Sequence, residues 1–436
     1  MSSPSRRWRQ TGCWSFDPTA GRGWLADDNL IEVAEMKILI LGASFGGITT
    51  AYELRKRFSP QQCAITVIAK DPRFTFIPSL PWVAIGTRSL DQISFGLAQP
   101  LERRGIEFVH AGVTRIEPGS RQVLTEAGQY AYDVLVIATG HRSANEAVAG
   151  LGPFDGPGHS LMSPPEAEEA GDGLRSFLDA PGPMVVGCAP GASCIGPAYE
   201  FVFQVDHLLR RRQMRHRVPI VFVTPEPFLG HFGVGGVGRA RQFLEGEFEQ
   251  RDIRYFTSAA VSRITDSAVE LGDGRAFESA FSHIIPPLAG VRPVAESPKL
   301  GNPKGFVPVD ENYRHQAFSD IYAVGVAVAL PPVEETPVPV NFPKTGHMTE
   351  QMAIIAVHHI AAAVRGGGQM SHPLRAECIL DLGDRAAHIK ADPFRPPRNV
   401  ARFSVGRRWL WAKKAFERYY LWKTRRGKTV VGDWGW

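Results

Sequence analysis

A short apolar run, Lys37–Leu41 (KILIL), ends directly on a glycine-rich turn, Gly42-Ala43-Ser44-Phe45-Gly46-Gly47. An amphipathic stretch, Ile48–Phe58, and a second apolar run, Ala64–Ile68, follow. Strand, glycine turn, helix and strand make a βαβ unit, whose parallel strands must be buried on both faces. The turn has the logic of a dinucleotide site: one glycine permits the tight turn, a small second residue lets backbone approach pyrophosphate, and a third packs helix on strand. The phosphate then sits on the helix N-terminus. Ser44 stands where the middle glycine is usual, and Ala69 stands where an acid about 20 residues on would bind ribose. An ordinary βα turn therefore stays open as the alternative.

The pattern recurs. Asp133–Ala138 (DVLVIA) leads into Thr139-Gly140, and Asp320–Val324 leads into Gly325. Met184–Val186 enters a second turn, Gly187 to Cys194, followed by a helical stretch to Arg212 and a strand at Pro219–Val223. The expected fold is α/β, with two Rossmann-like dinucleotide-binding domains, the first interrupted by the second, and a C-terminal amphipathic membrane-binding region. The boundaries expected are 36–143 with 291–352 for the first domain and 144–290 for the second. Residues 353–436 form the C-terminal region, and 1–35 a poorly ordered extension. The second turn is poorer for NAD, because Ala189 and Ala192 replace glycines and Pro190 stiffens the loop. It carries Cys194 close to a helix N-terminus, a position that lowers a thiol pKa. The plainer alternative is a small buried thiol. Cys378 is 184 residues further on and reaches Cys194 only through the fold.

Composition narrows the function. No window holds the roughly 20 apolar residues of a spanning helix. The five Cys form no CxxC or Cys/His pattern, so neither a disulfide framework nor a metal site is expected, and the adjacent pair His358-His359 faces apart on a helix. Arg6-Arg7 lacks the apolar segment of an export signal, which places the expected location on the cytoplasmic side of a membrane. Residues 393–436 hold twelve Lys/Arg against two Asp/Glu, a net of +10 on a chain of +5, and ten aromatics that include Trp409, Trp411, Trp422, Trp434 and Trp436. As a helix over 405–425, Val405, Trp409, Ala412, Phe416, Tyr419 and Tyr420 make one stripe, Arg407, Lys414, Arg418 and Arg425 lie opposite, and Trp411 and Trp422 fall on the flanks. That is the pattern of an interfacial helix in the headgroup layer. A core-packed helix with a solvated basic face is the alternative, and no nucleic-acid motif accompanies the charge.

Several stretches together carry a family resemblance. They are Phe74–Val83 (FTFIPSLPWV), Val134–Gly140 (VLVIATG), Gly191–Glu200 (GASCIGPAYE), Glu226–Gly238 (EPFLGHFGVGGVG), Pro331–Gly346 (PPVEETPVPVNFPKTG), Cys378 with Asp381–Arg385, and Ala412–Tyr420 (AKKAFERYY). From Met36 to about Gly427 the chain resembles the sulfide:quinone oxidoreductases, membrane-associated flavoproteins with two dinucleotide domains. The resemblance implies non-covalent FAD held by Gly42, Ser44, Phe45, Gly46 and Gly47, by Ala69, Lys70 and Val113, by Thr139 and Gly140, and by Gly325, Lys344 and Gly346. It implies Cys194 and Cys378 as a redox pair flanking the flavin ring, where sulfide opens their bridge and sulfur accumulates as polysulfide. Glu200 and His231 take proton-handling and electrostatic roles, and Lys344 stabilises charge at the reduced flavin. Membrane quinone is the acceptor, with Phe416 and Ile379 at its pocket; self-association is left open.

The departures are specific. Met162 stands near where many such enzymes carry a third cysteine, and Ile379 where an aromatic can neighbour the second. The rival readings are a type II NADH:quinone dehydrogenase, the flavin subunit of a flavocytochrome c sulfide dehydrogenase, and a non-catalytic flavin-binding sulfur sensor.

Overall fold

The computed structural model describes residues 36–152, 156–368 and 370–429. The expected extension 1–35 and the two last tryptophans, Trp434 and Trp436, lie outside the described residues.

Two parallel five-stranded sheets organise the chain. In the first, the spatial order is Ile321–Ala323, Val134–Ile137, Met36–Leu41, Cys63–Ala69, Glu107–His110. Every neighbour pair is parallel. Ile38, Leu39, Ile40 and Leu41 are all buried, as a strand covered on both faces requires. The helix Phe45–Arg57 makes the crossover and packs against Gly346–Arg365. The second sheet runs Gly158–His159, Phe281–Ile285, Met184–Cys188, Ile220–Val223, Ile253–Phe256, also parallel throughout. The first sheet is completed by Ile321–Ala323 only after the chain has built the second. The outgoing and returning segments pair at Arg142–Ser143 and Leu288–Ala289.

Beyond Gly346–Arg365 comes a three-stranded antiparallel sheet, Ala376–Asp381, Ala386–Asp392 and Val400–Gly406, and then the helix Arg407–Arg425. The strand takes Val405, so the helix starts two residues later than its periodicity suggests. The orientation of this helix corrects the expectation. The stripe that was to face lipid turns toward the protein. The Tyr420 ring lies 4.9 Å from Phe45 and 5.2 Å from Phe76, and Phe416 lies 5.9 Å from Phe76. Three polar clamps reinforce this face: Lys413 to Glu200, Glu417 to Ser79 and Arg88, and Glu350 to both Tyr420 and Lys423. The outward face carries Trp411, 72% exposed, and Trp422, 42% exposed. The exposed Arg407, Arg408, Arg418 and Arg425 accompany them.

Candidate functional site: two glycine turns and a thiol pair

At the first turn the glycines are steric necessities. Gly42 has φ +99°, and a Cβ there would come within 2.3 Å of the Ala138 carbonyl oxygen. A Cβ on Gly47 would lie 1.7 Å from the Gly42 carbonyl oxygen. Gly46 faces Val324 and Thr349, Gly325 (φ +72°) faces Thr349, and Gly346 faces the Phe45 ring, each at about 3 Å from an added Cβ. One cluster at the carboxyl ends of the first sheet's strands thus gathers Gly42, Phe45, Gly46, Gly47, Thr139, Gly325 and Gly346. The helix Phe45–Arg57 opens into it with no side-chain cap from Ser44 and no acid in its first turn, leaving the orphan N–H groups a helix start always has. Thr139 Oγ1 is buried there without a partner. Gly140, at φ +72°, has open space beyond its Cβ position. Ala69 and Lys70 close the neighbouring strand, whose carbonyls anchor Ala111 N–H and His110 Nε2, and Val113 begins the strand just beyond. Lys344 donates to the carbonyls of Val326 and Val328, and burial lowers its pKa to about 8. A cradle without Cβ atoms, unpaired backbone donors and an orphaned hydroxyl fit the pyrophosphate and ribose of a dinucleotide.

The second turn is filled by the chain itself. Gly191 N–H donates to the Pro339 carbonyl at 2.6 Å, Asn341 N–H donates to the Ala192 carbonyl at 3.1 Å, and Asn341 Nδ2 donates to the Gly191 carbonyl at 2.7 Å. A Cβ on Gly187 would come 1.9 Å from the Val223 carbonyl oxygen, so this glycine serves sheet packing. The following loop supplies an internal anion. Buried Glu226 accepts from Tyr199 Oη at 2.7 Å, Thr224 Oγ1 at 2.8 Å and Phe232 N–H at 2.7 Å. Burial pushes its pKa up to about 7, against the pull of those donors. Glu226 escaped sequence reasoning because a carboxylate between two prolines, Pro225 and Pro227, reads as a surface turn.

Cys194 lies two residues before the helix Gly196–Arg211, and Cys378 lies on the strand Ala376–Asp381. That helix packs on that strand, with Leu380 Cδ1 3.8 Å from a Cβ built on Gly196, which brings the distant thiols into one neighbourhood. Both are free thiols. Of the two readings of Cys194, the buried thiol prevails over the helix terminus: burial, then the negative charges of Cys378 and Glu200, push its pKa up to about 12. Desolvation outweighs a helix-end effect worth about 1 kcal/mol. Cys378 is reached by solvent, yet desolvation leads the causes that push its pKa up to about 11, with Glu200 next and Lys413 opposing.

Glu200 sits between the thiols electrostatically. Its Oε1 accepts from Asp381 N–H at 2.7 Å and from Lys413 Nζ. Burial holds the Glu200 carboxyl above its usual range despite Lys413. Burial also disfavours the Lys413 charge, but Glu200 and Asp381 outweigh it and raise its pKa. The pair is thus a buried ammonium held against a carboxyl whose charge burial disfavours. Asp381 is fixed in turn by Trp82 Nε1 at 2.7 Å. Lys413 was missed because a lysine in a basic helix reads as solvated. His231 is buried, accepts Gly233 N–H at Nδ1 (3.1 Å) and donates from Nε2 to Glu334 at 2.7 Å; no hydrogen bond joins it to either thiol. Ile379 is half-buried and directly opposite His388, and Phe416 is half-buried on the C-terminal helix.

Known proteins share this fold. The pyridine nucleotide-disulphide oxidoreductase family profile matches residues 36–353. A sulfide-quinone reductase of Aquifex aeolicus (strain VF5) is 37% identical over 398 residues, covering 89% of this chain and 91% of that protein. The X-ray structure of the sulfide:quinone oxidoreductase from Aquifex aeolicus superposes with a TM-score of 0.86 at 36% identity, over 90% and 92% of the two chains. NDH2 from Plasmodium falciparum in complex with NADH shares the fold, with a TM-score of 0.70 at 14% identity over 90% and 96%. The chain belongs to the pyridine nucleotide-disulphide oxidoreductase family and, within it, to the sulfide-quinone reductases.

Proposed function

We infer that this protein is an FAD-dependent enzyme that oxidises sulfide and passes the electrons to quinone. The observation that carries the choice over NADH oxidation is the second turn, whose backbone groups are bonded to Pro339 and Asn341 while Cys194 stands beside the strand of Cys378. The close relatives act on sulfide and quinone by name.

Segments 36–143 and 291–352 form the FAD domain, with Gly42–Gly47 cradling the pyrophosphate and Gly140, Gly325 and Lys344–Gly346 lining the rest of the crevice. FAD supplies two-electron acceptance from thiols and return of those electrons to quinone. Cys194 and Cys378 alternate between a bridged form and a free form. Sulfide attacks one sulfur of the bridge, so one cysteine becomes a persulfide and the other leaves as a thiolate; a second sulfide takes the outer sulfur away as a hydropersulfide, and the two thiols left would give two electrons to bound FAD as the bridge re-forms. Raised thiol pKa values mean that each free thiol holds its proton at neutral pH, so bridge formation needs a base. Glu200 serves as that base, and Lys413 stabilises the thiolate. His231 steadies the loop over residues 340–343 rather than touching sulfur.

Among the described residues no helix is long and apolar enough to cross a membrane. The C-terminal helix lays Trp411, Trp422 and its exposed arginines on the headgroup layer, where each basic side chain contributes on the order of 1 kcal/mol. The test is anaerobic. Sulfide should bleach the flavin of the purified protein, NADH should not, and added quinone should restore the colour. Bleaching by NADH at a rate matching sulfide would overturn the assignment.

A further inference from the structure

A cavity of about 700 Å³ opens between the Gly238–Arg239 turn, the strand Val400–Gly406 and the start of the C-terminal helix, with His388, Ser404 and Trp409 in its wall. His388 is buried and stacked on Trp409 at 4.1 Å and 20°. Its Nε2 lies 2.7 Å from Glu377 Oε1. Its Nδ1 makes no hydrogen bond among the described residues, and the residue lines the cavity. One ring nitrogen thus meets a carboxylate, and the ring borders the cavity. In the antiparallel ladder Ile379 is directly opposite His388, and Glu377, two residues before Ile379, shares its face. Cys378 points to the other face, so this pair serves whatever lies against Ile379 rather than the sulfur chemistry.

We propose that Glu377 and His388 are the proton-delivery pair for quinone reduction, carrying protons from cavity water to quinone held against Ile379. The proposal rests on the reading of Ile379 and Phe416 as the quinone pocket. The balance is simple. A quinone that takes two electrons from the reduced cofactor must take two protons, forming one O–H bond at each oxygen. One proton enters at His388 Nδ1 from water as the Nε2 proton passes to Glu377 Oε1, and Glu377 hands it to the quinone oxygen nearer to it; the ring returns to its Nε2–H form by giving its Nδ1 proton to water and taking one at Nε2, and the far oxygen takes its proton from water. Lys390 Nζ, 3.9 Å from Glu377 Oε2, and His347 on the helix Gly346–Arg365 also act on Glu377. Arg402, opposite Lys390, and Arg239 and Arg408 at the cavity complete the charged surroundings. Burial raises the Glu377 pKa, but His388 and Lys390 outweigh it and keep the carboxyl ionised, ready to accept. Imidazole beside carboxylate is a common relay.

The test compares two acceptors on the detergent-purified holoenzyme reduced by sulfide: a short-chain quinone, which needs protons, and ferricyanide, which does not. Glu377→Gln should slow reoxidation by quinone about 100-fold and leave ferricyanide reoxidation close to wild type. Glu377→Asp should recover much of the loss, and His388→Asn should be partly rescued by added imidazole. The quinone rate of Glu377→Gln should also lose its dependence on pH. Equal slowing with both acceptors would make the pair a strut between strands, and an unchanged quinone rate would remove it from the reaction. Ile379→Trp separates the underlying reading: an unchanged KM for quinone would show that the pocket lies elsewhere, whatever Glu377 does.

Discussion

The two glycine turns stand at equivalent places in the two parallel sheets and do opposite things. The first leaves its backbone donors and a Cβ-free cradle open toward a crevice. The second bonds its turn to residues 339–341, and the loop beside it turns donors onto Glu226. A phosphate site needs an anion from outside; a half that carries its own buried carboxylate and closes its own turn has no such need. The difference teaches what separates a βαβ turn that can hold a phosphate from one that cannot. Where the first turn has Gly46 and Gly47, the second has Ala189, Ala192 and a cysteine, Cys194, beside the helix start.

The comparison breaks most visibly at single glycines. Gly47→Ala should yield protein without FAD, because its Cβ would overlap the Gly42 carbonyl and backbone cannot yield there. Gly191→Ala in the second turn should keep FAD and lose about 1 kcal/mol of stability, since its φ is +78° but the nearest atoms to a Cβ are 3.6 Å away. The flavin-to-protein absorbance ratio decides, and equal FAD loss in both variants would erase the distinction. At the next level, Cys194→Ser and Cys378→Ser should each cut flavin bleaching by sulfide at least 1,000-fold with FAD retained, as expected when a covalent nucleophile is removed. Stopped-flow rates near wild type in either variant would end the paired-thiol mechanism.

How much of this was legible in the residues depends on what each feature rests on. Strand–glycine–helix order is written in local pattern, so both parallel sheets and the late return of Ile321–Ala323 follow from hydrophobic runs and turn glycines. The thiol neighbourhood is not local: nothing between Cys194 and Cys378 announces that the helix Gly196–Arg211 packs on the strand Ala376–Asp381. Charge misled most. Lys413, Glu417 and Lys423 carry the composition of a solvated face, yet each is buried against a partner on another element. Periodicity alone cannot know that partners wait elsewhere, so the aromatic stripe was assigned to lipid when Tyr420 belongs to a protein core.

That reversal changes how the C-terminal helix should be tested. Removing it would also strip Tyr420 and Lys413 from the core and the thiol site. Replacing the outward pair, Trp411→Ala with Trp422→Ala, should leave flavin bleaching by sulfide intact and lower binding to anionic vesicles about tenfold, a loss sharpened by high salt once only arginines remain. Unchanged flotation would move the membrane face elsewhere on the molecule.

The last test concerns the buried carboxyl of the second half. Glu226 holds its proton up to about pH 7 in the folded chain, whereas an unfolded glutamate releases it near 4.3. Between those values the folded state binds more protons than the unfolded state, so this group's contribution to stability falls as pH rises. The contribution is complete below about pH 4.3, is lost through pH 7, and is constant above. The whole change is on the order of 3 kcal/mol. Glu226→Gln removes the titration while retaining an acceptor for Phe232 N–H, and its amide can donate to the hydroxyls of Tyr199 and Thr224 in place of the bonds they now make. The difference in Tm between variant and wild type should therefore climb from pH 5 to pH 7 in favour of the glutamine and then level off. A difference that stays flat across that range would mean that Glu226 is ionised at both ends, and that the second half holds its loop with a permanent charge rather than a titrating one.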